Sequence, residues 1–160
     1  MQRSIQLIFE WCCWGKRQVI LKVNNKILKT VKLGKNVKKI GQQAFFGCTK
    51  LSNVSIGKNV TVIGANAFNK CTALTIITIP SKVNKIGTKA FYQCRKLRYF
   101  MVKTNKLTLG NIGENAFGSG YGSPRVKTDK KLREQYSNVF ILRGMSKKAL
   151  FMIAPVRLVI

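Results

Sequence analysis

The sequence predicts a solenoid, a stack of short equivalent coils whose core is a row of layers, and three observations carry that prediction. The first is a period: Leu28, Leu51 and Leu74 each open 23 residues with the pattern L-x-x-V/I-x-I/L-x-x-x-V-x-x-I-G-x-x-A-F-x-x-C-x-x. The second is a fourth, altered copy. It opens at Leu97 with Phe100 and Val102, takes three extra residues, recovers the phase at Ile112, Gly113, Ala116 and Phe117, and places Gly120 in the cysteine slot. The third is that apolar types are fixed while the slots between them vary, which a stack demands because each coil can bury its apolar side only against its neighbours. At 160 residues the chain has room for one such domain.

The expected boundaries are a divergent N-terminal segment or partial repeat at 1–27, repeats at 28–50, 51–73, 74–96 and 97–120, a C-terminal β/α cap at 121–153, and a tail at 154–160. Residues 1–21 are apolar and aromatic (Ile5, Leu7, Ile8, Phe9, Trp11, Trp14), then basic at Lys16 and Arg17. They read either as a cap over the exposed apolar end of the stack or as a frayed start. Arg3 followed by Ile5 to Phe9 resembles the opening of a signal peptide, but Glu10 interrupts the apolar run and no small-residue cleavage site follows Trp14. Residues 22–27 occupy the slots that close a preceding repeat.

Within each repeat the L-x-x-V-x-I portion alternates and is rich in β-branched residues, which predicts a short strand. Val54 and Ile56 are expected to point inward, with Asn53 and Ser55 pointing out. Gly57-Lys58-Asn59 and Pro80-Ser81-Lys82 are turn residues. A second short extended piece ends at Ile63-Gly64, where glycine supplies a backbone angle or a close approach. The A-F-x-x-C portion has the phase of one or two helical turns, with Ala67, Phe68 and Cys71 buried together. After Phe117 a Gly/Ser/Pro cluster ends the array. Arg125 to Thr128 then reads as a strand and Asp129 to Leu142 as a helix, with Leu132, Tyr136, Val139 and Phe140 on one face. Thr128 or Asp129 is placed to cap that helix and Gly144 lies just past its end. Lys148 to Ile153 reads as a last strand.

Cys48, Cys71 and Cys94 share one repeat slot, so they stack at roughly the 4.8 Å strand spacing with parallel side chains. That is poor geometry for a disulfide, and the reading is three small buried hydrophobes. A metal column lacks histidine partners and C-x-x-C spacing. The vicinal pair Cys12-Cys13 has no assigned role, and no cofactor is expected.

The repeat, with its 23-residue period, its A-F-x-x-C segment and its I-P or I-G turn, resembles the BspA-type leucine-rich repeat of bacterial surface proteins from about Lys22 to about Leu150. The longer fourth repeat, and the Lys-Lys-Leu-Arg-Glu-Gln-Tyr helix followed by Gly144, look like the closing segment of lysine-rich members from Gram-positive anaerobes. The resemblance implies a right-handed solenoid with a parallel sheet on its concave face and short helical turns on the other side. It also implies a secreted or surface-attached adhesion or ligand-binding role without catalysis. The chain departs from that pattern in its first 21 residues and shows neither a clear secretion signal nor an anchor.

The sequence bears on three classes of function. A non-catalytic binding module would use the outward strand positions: Thr30 and Lys32, Asn53 and Ser55, Ile76 and Thr78, Tyr99 and Met101. Of these, Ile76, Tyr99 and Met101 form an apolar patch of the kind that marks partner sites, unless the C-terminal segment covers it. The second class follows from charge, 30 Lys plus Arg against four acids for a net +26. Such a field attracts polyanions, whether acidic glycan, wall polymer or nucleic acid, although lysines also serve simply to keep a repeat surface soluble. The basic stripe would comprise Lys35, Lys38, Lys39, Lys58, Lys82, Lys85 and Lys103. No aromatic-basic interleaving points to sequence-specific nucleic-acid readout. An enzyme is the third class, and the chain is not expected to be one. It has no histidine, four carboxylates, and three cysteines at a core slot, so the usual acid-base and nucleophile pairs are not assembled. No run approaches the ~18 apolar residues of a membrane helix, so membrane insertion is not expected. If the N-terminal end of the stack is uncapped, self-association through that end is the expectation.

Overall fold

The computed structural model describes residues 26–118, 125–128, 132, 136 and 139–144. The segment 1–21, Cys12 and Cys13, Gly120, the glycine-rich cluster from 119 to 124, Asp129, the expected strand at 148–153 and the tail at 154–160 lie outside the described residues.

Two parallel sheets run the length of the stack. The larger has five strands, β1 (Thr30–Lys32), β3 (Asn53–Ser55), β5 (Ile76–Ile79), β7 (Tyr99–Val102) and β8 (Arg125–Lys127), hydrogen-bonded in that order. The smaller comprises β2 (Lys39–Ile40), β4 (Val62–Ile63) and β6 (Lys85–Ile86), with a single further bridge from Ile86 to Ile112 of the fourth repeat. Parallel pairing requires a crossover between strands, and here the rest of each coil supplies it. Thr30 faces Asn53, Asn53 faces Ile76, and Ile76 faces Tyr99, so the register is the sequence period itself.

Fixed slots become buried columns. Leu28, Leu51, Leu74 and Leu97 are buried, as are Val37, Val60 and Val83, and Ile40, Ile63, Ile86 and Ile112. The phenylalanines form a stack through the centre. Phe45 and Phe68 lie 5.2 Å apart between ring centroids, Phe68 and Phe91 5.4 Å, and Phe91 and Phe117 6.1 Å, all near parallel. Phe100 stands where the other strands carry Val31, Val54 or Ile77, and meets Phe91 and Phe117 edge-on. The turns between the sheets close as read: Val37, Val60 and Val83 each donate to the carbonyl three residues back, at Gly34, Gly57 and Pro80. Ser52, Thr61 and Thr72 hydroxyls tie each coil to the carbonyl one period earlier, at Lys29, Lys38 and Thr49.

The glycine before the A-F segment is required by close approach, not by backbone angle. The φ values at Gly41, Gly64, Gly87 and Gly113 are not positive, but a Cβ at the last three would collide with the backbone of the preceding coil.

On the side away from the large sheet the short turns are present, but they do not continue into α-helix. Alternate amides do different things. Ala44, Phe46 and Cys48 donate within their own coil to the residue three back, while Gln43, Phe45 and Gly47 donate to Ala65, Ala67 and Asn69 of the next coil. The second coil repeats this with Asn66, Phe68 and Lys70, and the third with Lys89, Phe91 and Gln93. Helix would claim all the amides locally. Left-handed residues at Gln43, Gly47, Asn66, Lys70, Lys89 and Gln93 turn every second amide outward to the neighbouring coil.

The described C-terminal residues pack against the fourth repeat. Residues 132, 136 and 139–142 are helical, and the expected face holds: Tyr136 and Phe140 are buried, with Leu132 and Val139 packed on the core. Phe140 meets Phe117 edge-on at 4.8 Å, ending the aromatic stack. Phe117 N–H, which in earlier coils donates to an alanine of the next repeat, donates instead to the Arg143 carbonyl. The three extra residues of the fourth repeat are stitched to the same helix. Tyr136 donates its hydroxyl to the Thr104 carbonyl at 2.7 Å and accepts from the Leu107 amide at 3.4 Å. Gly144 lies past the helix with φ of 99°. The capping expectation for Thr128 is not met, because its hydroxyl is buried and makes no hydrogen bond.

Candidate functional site

The outward positions of the five-stranded sheet form two columns. One runs Thr30, Asn53, Ile76, Tyr99 and then Arg125 in register. The other runs Lys32, Ser55, Thr78, Met101 and then Lys127. Strand alternation puts Val31, Ile77, Phe100 and Val126 on the opposite side, in the core. The first strands therefore present a polar surface, with Thr30, Lys32, Asn53 and Ser55 all exposed. Ile76 and Met101 are 47% and 37% exposed, while Thr78 and Tyr99 are half-buried beside them. Strand β8 does not cover this patch; it pairs with β7 and extends the sheet. Lys127 Nζ lies 4.9 Å from the centroid of the Tyr99 ring, a cation–π contact at the border of the patch.

Lys127 and the register position of Arg125 were not anticipated as part of this face. β8 follows a break in the period, so no repeat slot pointed to it. The available signal was local, in the alternation of Arg125, Val126 and Lys127.

The seven lysines of the basic stripe are exposed, but they do not occupy one column. Lys39 and Lys85 lie on the small sheet with Val62 in register between them. Lys35, Lys58 and Lys82 belong to the turns leading into that sheet, Lys38 precedes β2, and Lys103 follows β7. Lys82 donates to Asn59 Oδ1 at 2.8 Å, and Asn59 in turn donates to the Lys35 carbonyl at 2.9 Å.

The cysteine column is chemically quiet. Cys71 and Cys94 donate their thiols to the carbonyls of Phe45 and Phe68 at 3.1 Å, and Cys48 is likewise buried and free of disulfide. Burial pushes the Cys94 thiol up to about 12, and the Cys71 thiol is also raised, first by burial and then by the neighbouring thiols. Thiolate is the reactive form, so neither thiol is poised as nucleophile or ligand. No cluster of metal-ligating side chains is present among the described residues.

Twenty-three-residue coils, parallel sheets in period register and leucine, phenylalanine and cysteine columns define a leucine-rich-repeat solenoid. Residues 23–143 match the BspA type leucine-rich repeat region (6 copies), and the chain belongs to that family. Two solved structures are similar. A leucine-rich repeat protein from Bacteroides ovatus is 32% identical with a TM-score of 0.59, covering 74% of this chain and 30% of its own. The T. pallidum leucine-rich repeat protein is 32% identical with a TM-score of 0.61, covering 69% of this chain and 51% of its own. This chain thus spans between about a third and a half of those proteins. No curated protein matches. No helix among the described residues is long and apolar enough to cross a membrane.

Proposed function

We propose that the chain is a non-catalytic ligand-binding module of a secreted or cell-surface bacterial protein, with its site on the outward face of the five-stranded sheet. The observation that supports this reading is the joining of Ile76, Tyr99 and Met101 into one exposed apolar patch on adjacent strands. A monomeric surface does not gather such residues without cost in solubility, and partner sites are where aromatic and methionine side chains concentrate. The strands beneath are pinned by buried columns, so the patch is presented on a rigid base. Catalysis has no support in this arrangement, since the described thiols are buried and histidine is absent. The test is an array of glycans and host-matrix proteins, probed with wild type and with the Tyr99→Ala/Met101→Ala double variant. Ligands captured by the wild type are expected to be lost by the variant; equal capture of every ligand sinks the reading.

A second reading, polyanion binding through Lys35, Lys38, Lys39, Lys58, Lys82, Lys85 and Lys103, is favoured by their common exposure and by the net charge of +26. Binding of that kind weakens steeply with salt, with a log–log slope set by the number of anionic groups neutralised. Retention on heparin or DNA that is weak even at ~50 mM salt excludes it, because screening is slight at that ionic strength.

A further inference from the structure

The outward sheet face has an order that the apolar patch alone does not convey. Along one column stand Lys32, Ser55, Thr78, Met101 and Lys127. Positive charge therefore sits at both ends of the column, small hydroxyl residues come next on the β1 side, and the apolar cluster of Ile76, Tyr99 and Met101 lies against Lys127. Five strands at the parallel spacing put the two lysines roughly 19 Å apart. Lys127 lies over the Tyr99 ring, which places its ammonium at the edge of the patch. Neither lysine has a carboxylate partner among the described residues, where the only acid is Glu114, on the opposite side of the coil. A cation over an aromatic ring at an apolar border suits a carboxylate adjacent to a bulky apolar group.

Resting on the sheet-face reading above, we propose that the partner is an acidic protein segment, bound extended across the strands, with its apolar side chains on Ile76, Tyr99 and Met101. One carboxylate meets Lys127 beside Tyr99, and a second, on the other side of the apolar residues, meets Lys32. At about 3.3 Å per extended residue, a ~19 Å span separates the two acidic positions by about six residues. Charge complementarity commits the site to an acidic partner, because a basic or neutral segment would leave two ammonium groups facing it without counter-charge. A carboxylate-bearing polymer without apolar groups would satisfy the lysines and leave the patch wet.

A blocked nonapeptide probe, Glu-Glu-Ser-Leu-Phe-Leu-Ser-Glu-Glu, titrated into the full chain by calorimetry at physiological salt tests the proposal. Saturable binding is expected. Replacing every Glu of the probe by Gln, or its Leu and Phe by Ser, should each weaken binding at least fivefold, as should Lys127→Gln and Met101→Ser in the protein. Both are surface positions, and unchanged circular dichroism confirms that the variants fold. Equal binding of the Gln peptide overturns the acidic partner while leaving the sheet-face reading intact, provided Met101→Ser still weakens it. Equal binding of the Ser peptide or of poly-glutamate overturns the proposal in favour of a plain polyanion surface. Absence of saturable binding overturns it too, and the array test with Tyr99→Ala/Met101→Ala then decides separately whether the face binds anything.

Discussion

A methyl group on Gly64 would lie 2.6 Å from the carbonyl carbon of Gly41, one coil earlier in the stack. The obstruction is backbone, which has no rotamer with which to yield. Gly64→Ala is therefore expected to force two coils apart and cost about 3 kcal/mol or more, at the upper end of what overpacking does. Gly34 supplies the contrast, since a Cβ there meets nothing within 4 Å and its φ is not positive. Gly34→Ala should leave the native state unstrained and stabilise by about 0.4–1 kcal/mol by restricting the unfolded chain. Denaturant unfolding of the two variants should give shifts of opposite sign, and a matching loss in both would refute this account of the glycine column.

The left-handed positions make a second prediction. Gly47, Lys70 and Gln93 occupy one repeat slot with φ of 70°, 63° and 57°. An L side chain at such an angle costs roughly 1–2 kcal/mol, and glycine escapes that cost. Gly47→Ala should thus destabilise by about 1 kcal/mol, while Gln93→Gly should stabilise by up to about 1 kcal/mol after its unfolded-state entropy is counted. Thermal melts of the pair check the sign at both sites.

The thiol column predicts how stability depends on alkaline pH. Cys94 titrates near 9.0 when unfolded and at about 12 when folded. The folded state thus keeps the proton longer than the unfolded state does. Below pH 9 both states are protonated and the contribution is fully present; between about 9 and 12 the unfolded state alone loses the proton. Stability then falls by about 1.4 kcal/mol per pH unit for this thiol. Lysine titration overlaps that window, so the clean readout is the difference between wild type and Cys94→Ala, which should narrow as pH rises from 9. A difference that stays constant over that range would contradict the assigned burial of the thiol. At pH 8 the thiols at positions 48, 71 and 94 should resist alkylation in the folded protein and react once it is unfolded.

The contact between Tyr136 and the fourth repeat gives a fourth prediction. Tyr136→Phe keeps the ring against Phe140 but strips the Thr104 carbonyl and the Leu107 amide of their shared partner. Leaving those buried groups unsatisfied should cost about 1–3 kcal/mol. The loss should be concentrated in the fourth repeat, which amide hydrogen exchange across residues 103–112 would show.

Why some of this was legible in the sequence and some was not has a physical basis. Leu28, Val31, Phe45 and Cys48 recur because burial in a stacked layer selects residue type, so their columns could be written down before any fold was known. The angles at Gly47, Lys70 and Gln93 left no such trace, because that slot tolerates glycine, lysine or glutamine and is selected by the amide pattern of its neighbours. Hence the short turns were expected to be helical when they are divided between local and inter-coil hydrogen bonds. The Tyr136 helix face was legible from its spacing, whereas the bond from Tyr136 to Thr104 joins positions 32 residues apart with no period to link them. Lys127 was missed on the sheet face for a similar reason: the break after Gly118 removes β8 from the register that placed Tyr99 and Met101.

Phe68 sits between Phe45 and Phe91, with centroids 5.2 Å and 5.4 Å away. Removing its ring does two things that differ in a stack from what they would do in a globular core. The transfer and cavity terms of Phe→Ala cost about 3–5 kcal/mol, as in any buried site. The coil before it, however, is held chiefly by its interface with this one, because each repeat contacts only its neighbours. Phe68→Ala should therefore uncouple residues 28–50 from the rest, while the part from Leu74 to Phe140, closed by Phe117 and Tyr136, stays folded. Two unfolding transitions in denaturant, with hydrogen exchange lost first over 28–50, are the expected outcome. A single cooperative transition merely shifted to lower denaturant would mean that coupling along the stack is stronger than nearest-neighbour contact provides.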